Sequence, residues 1–77
     1  MSPNQLPAPL DRVLSDARDD VAKCTLEELP MSRAYFLQLA DTLAREHGFG
    51  TDQAKRAKAA IQAAVDHRRA ALEQAAS

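Results

Sequence analysis

The sequence predicts an all-α fold: a small three-helix bundle in which a hairpin of two shorter helices packs on one long C-terminal helix, behind a flexible N-terminal tail. Three observations predict it. Residues 51–77 contain neither proline nor glycine, and alanine, the strongest helix former, fills 10 of these 27 positions. Apolar residues earlier in the chain recur at helical spacing. No segment alternates apolar and polar residues as a half-buried strand does.

Taken in order, residues 1–8 carry Pro3 and Pro7 without periodicity and read as a flexible tail; residues 9–77 form the helical domain. The first helix is expected to begin near Pro9, since proline suits a first turn where its missing N–H is not needed. Its stripe is Leu10, Val13, Leu14, Ala17, Val21 and Cys24, with Asp11 favoured by the positive end of the helix dipole. Thr25-Leu26-Glu27-Glu28 has the form of a capping box. Pro30 pushes Leu29 away from helical angles, so a break is expected there, with Ser32 capping a second helix from Arg33. That helix carries Phe36, Leu39, Ala40 and Leu43 on its stripe, Tyr35 and Leu37 off its centre, and Gly48 as a left-handed C-cap. Phe49 lies between two glycines and is expected to fold back as a plug. Thr51 is expected to cap the third helix, whose face runs through Ala54, Ala57, Ile61, Ala64, Val65, Arg68, Leu72 and Ala75.

Composition limits the function. One domain of 77 residues builds a core worth about 3–5 kcal/mol, a size at which small proteins add staples or oligomerise. Cys24 is the only cysteine, so no disulfide forms within the chain and no zinc site is expected without several other ligands. The net charge is −1, unevenly spread: residues 1–30 sum to −3 and residues 31–77 to +2. This asymmetry balances charge between packed helices, steers a partner, or orients two copies head to tail. No export signal and no membrane span is evident, and with a free cysteine this fits a reducing cytoplasm.

Catalysis is not expected. Cys24 with His47 or His67 is the only nucleophile–base pairing on offer, and nothing orders those residues into a site. Asp19-Asp20 and Glu27-Glu28 are adjacent pairs that point to different helix faces. Glycine occurs only at positions 48 and 50, so there is no phosphate-cradling loop. No cofactor and no metal is expected.

The expected function is a non-enzymatic protein-interaction module: a small cytoplasmic accessory or regulatory protein of bacterial or phage type, acting as a homodimer. The last helix has only Ile61, Val65 and Leu72 as large apolar residues, too few to bury much surface unless something packs very close. The expected interface is Ala57, Ile61, Ala64, Val65, Arg68 and Leu72, joined by Tyr35 or Leu37. Arg68 would lay its stem on apolar surface or meet a partner's acid.

The alternative is a small DNA-binding regulator. Residues 31–39, Met31-Ser32-Arg33-Ala34-Tyr35-Phe36-Leu37-Gln38-Leu39, resemble the start of the recognition helix in repressor-type helix-turn-helix proteins. Residues 25–29 resemble the helix opening that precedes it. The resemblance covers about fifteen residues and departs from the family, which places more residues and a glycine where this chain has only Pro30. It implies Ser32, Arg33 and Gln38 as contacts; Lys55, Arg56 and Lys58 add a basic cluster able to neutralise phosphates.

Overall fold

The computed structural model describes residues 6–76. Three helices follow in order, α1 (Ala8–Val21), α2 (Leu29–His47) and α3 (Thr51–Ala76), each packed on the other two, with no strand among the described residues. None is long and apolar enough to cross a membrane.

Helix α1 starts where the prolines allow. Pro7 is extended (φ −55°, ψ 148°), Pro9 sits in the first turn, and the Asp11 amide closes it on the Pro7 carbonyl at 2.9 Å. The expected stripe is buried in full. Of the expected tail, residues 1–5 lie outside the described residues; Leu6 is half-buried and packs on the core, Pro7 is the N-cap of α1, and Ala8 already belongs to that helix.

The start of α2 differs from the expectation of a break at Leu29. The Thr25–Glu28 capping box forms: the Thr25 amide donates to Glu28 Oε1 at 2.8 Å and the Glu28 amide to Thr25 Oγ1 at 3.4 Å. It opens a lead-in turn that runs into α2 rather than a separate helix, since Leu29 N–H bonds the Thr25 carbonyl and Ser32 N–H the Glu28 carbonyl. Pro30 is thereby placed in the first turn of α2, where its missing donor costs nothing. Leu29 is the first residue of α2 and is fully buried. Ser32, expected as a cap, is already helical.

At the far end of α2, Gly48 takes the left-handed conformation (φ 70°). The Phe49 amide reaches the Ala44 carbonyl at 2.9 Å and the Gly48 amide the Arg45 carbonyl at 3.3 Å, the two bonds of a Schellman motif. Phe49 is turned back onto the core, as expected of a plug, and its ring stacks on His47 at 5.1 Å. Helix α3 begins at Thr51 itself, the residue expected to cap it. Gly50 holds the cap position, with its carbonyl accepting from Gln53 and Ala54 and its amide donating to the Gln53 side chain at 3.3 Å, so Thr51 is the first helical residue.

The core lies between the three helices in two clusters. The larger is built around Leu10, Leu14, Phe36 and Ile61; the smaller joins Val21, Cys24, Leu29 and Val65, with Leu72 packed against it. This corrects the reading of α3. Ala57, Ile61 and Val65, expected to face a partner, are each 0% exposed within the single chain. The physical reason is that α3 supplies small side chains and its neighbours supply the large ones. The alanines let α3 approach closely enough for Leu10, Leu14, Leu29 and Phe36 to fill the space.

Candidate functional site

The remaining members of the expected interface are also engaged by the chain itself. Leu72 is half-buried against the smaller core layer, and Ala64 is half-buried beside the α1–α3 groove. Arg68 donates from Nε and Nη2 to the Cys24 carbonyl, both at 3.2 Å. It needs no outside acid to be satisfied: it ties α3 to the turn between α1 and α2.

Several residues of the DNA-binding reading have partners within the chain. Ser32 Oγ donates to Asp20 Oδ2 at 2.6 Å, Arg33 Nε to Gln62 Oε1, and Lys58 pairs with Asp41 at 3.0 Å. Lys55 and Arg56 are exposed on the first two turns of α3, and Gln38 is exposed on α2. The supporting helix implied by the helix-turn-helix resemblance is not formed, because residues 25–28 are the lead-in turn of α2 itself.

Cys24 and His47 are kept apart. Cys24 is buried beside the start of α2, its sulfur 3.8 Å from Asp20 Oδ2. His47 is at the opposite end of α2, against Phe49. No group of three or more His, Cys, Asp or Glu side chains that could hold a metal occurs among the described residues.

The structure exposes a different surface. Met31 is 80% exposed, Tyr35 61% and Leu26 43%, the three large apolar side chains left open to solvent among the described residues. Met31 and Tyr35 are four apart on α2 and so lie one above the other on one face. They flank a groove of about 620 Å³ between the end of α1 and the start of α2, floored by Cys24 and Phe36. Tyr35 is held edge-on against Phe36, ring centroids 5.0 Å apart and planes at 87°, an arrangement aromatic quadrupoles favour. The rim is acidic: Asp20, Glu27 and Glu28. Asp20 links the two walls of the groove by accepting from Ser32.

Tyr35 was within reach of sequence reasoning as an off-stripe residue. Met31 was missed because the helix was expected to start two residues after it. With α2 starting at Leu29, the Met31–Tyr35 pair falls outside the buried stripe by spacing alone.

Comparison of the chain with protein-family models, with curated proteins and with solved structures returned no match.

Proposed function

We propose that this chain is a non-enzymatic protein-interaction module, a small accessory or regulatory protein of the cytoplasm, that binds a protein partner through the groove beside Met31 and Tyr35. The observation that carries the proposal is the exposure of Met31 and Tyr35 in a chain whose core is complete without them. Scattered exposed apolar residues need no explanation, but a paired methionine and tyrosine over a groove is the composition of a binding surface. Methionine adapts to a partner's shape, while tyrosine brings area at small entropic cost. The acidic rim selects partners with basic residues around an apolar anchor and speeds their encounter. The buried free thiol of Cys24 is in keeping with a reducing compartment.

Site-specific photo-crosslinking in the native host tests this. A crosslinker at position 35 should capture a discrete protein, and one at exposed Asp19 should not. Equal, diffuse labelling from both positions would refute the proposal.

A further inference from the structure

The Met31–Tyr35 surface has a counterpart on the same molecule. Between α1 and α3 runs a second groove of about 640 Å³, with Ala63, Ala64 and Ala71 along its α3 wall and Arg18, His67 and Arg68 beside them. One groove therefore presents large apolar side chains within an acidic rim, and the other presents small side chains within a basic one. We infer that the two fit each other between copies: the Met31–Tyr35 surface of one chain docks in the alanine groove of the next, so that the protein associates with itself head to tail. The inference rests on the interaction-module reading and names its partner.

Charge complementarity carries it. Among the described residues, neither Arg18 nor Arg68 forms an ion pair, and nor do Asp20, Glu27 and Glu28. Arg68 is fixed in place by the Cys24 carbonyl, a neutral acceptor that orients the guanidinium without cancelling its charge. A preorganised cation at a groove edge is well suited to a carboxylate from outside. The two grooves open on different sides of α1, one toward α2 and the other toward α3, so they cannot close on each other within one molecule.

Size complementarity points the same way. Ala63 and Ala71 are exposed and leave space above the helix that a methionine or tyrosine side chain fills. Pairing the acidic groove with itself would set Glu27 and Glu28 against their own copies, which costs energy instead of releasing it. A contact between two different patches is heterologous and grows beyond a dimer unless rotation closes it into a ring.

Sedimentation of the full chain over a range of concentrations at low salt tests the inference. The weight-average mass should rise past that of a dimer, with association at least about tenfold weaker in Met31→Ser/Tyr35→Ser and in Ala63→Glu/Ala71→Glu, the scale of hot-spot loss. All four positions are exposed, and circular dichroism verifies that both variants stay helical. Mixing the two variants should produce one-to-one pairs that grow no further, because each retains the surface the other lacks. A wild-type species that stops at a dimer, or a variant mixture that stays monomeric, overturns the inference. So does a wild-type protein that is monomeric throughout; if position 35 still crosslinks a different protein, the interaction-module reading stands and only the self-association fails.

Discussion

Truncating Ile61 separates a chain that covers α3 by itself from one that needs a companion. Ile61 is fully buried among residues of α1 and α2. Replacing isoleucine with alanine in such a site removes buried methyl and methylene groups and leaves a cavity, at a cost of about 2–5 kcal/mol. Alanine is the better helix former and returns a few tenths of a kcal/mol. For 77 residues at about 0.05–0.15 kcal/mol each, the whole stability is about 4–12 kcal/mol, so the loss takes a large share of it. With about 4–8 °C per kcal/mol for a domain of this size, a loss near 3 kcal/mol lowers Tm by about 10–25 °C. Leu72→Ala, at a half-buried position near the helix end, should cost about 1 kcal/mol. Urea and thermal melts followed by circular dichroism measure both variants at several protein concentrations. The Ile61 effect should be the larger and should persist on dilution. An Ile61→Ala loss below about 1 kcal/mol, or one that vanishes on dilution, would mean that the side chain is covered by another molecule, and the packing argument would fail.

Arg68→Met keeps the stem and removes both donors to the Cys24 carbonyl; a loss of about 1–3 kcal/mol is expected, with faster amide exchange around residues 22–28 read by NMR. Gly48→Ala meets no atom within 4 Å, so its cost is the backbone's own, about 1–2 kcal/mol for a side chain held at positive φ, seen as a lower urea midpoint. Thr25→Ala should lose about 1 kcal/mol and fray the start of α2, visible as reduced protection of the Glu28 and Leu29 amides. Met31→Ser with Tyr35→Ser should leave stability within about 0.5 kcal/mol of wild type per site, so that any lost binding is assigned to the surface and not to unfolding.

The helices and most of the core were legible in the sequence because periodicity reports which face is buried. All six residues of the α1 stripe are in the core, and Phe36 and Ala40 of α2 are buried as expected, with Leu39 and Leu43 half-buried. Periodicity does not report what covers a face. The expected face of α3 is buried at Ala57, Ile61 and Val65, half-buried at Ala54, Ala64, Arg68 and Leu72, and exposed at Ala75, yet its small side chains taken alone point to a missing partner. Cover depends on the sum of side-chain volumes across three helices, a tertiary quantity that no single segment displays. Pro30 misled for a local reason: the same residue stops a helix from within and starts one from its first turn, and only the hydrogen bonds to Thr25 and Glu28 decide between them. That error hid Met31, and with it the groove.

The last turns of α3 have their own consequence. At 1.5 Å per residue the 26-residue helix is about 39 Å long, nearly the full 43 Å extent of the described residues, and between Ala70 and Ala76 only Leu72 is not exposed. Hydrogen bonds there are open to water on almost every side, so this end unravels and re-forms independently of global unfolding. Because Ala71 lines the alanine groove and Leu72 packs on the smaller core layer, opening of these turns would loosen that groove while leaving the larger core layer in place.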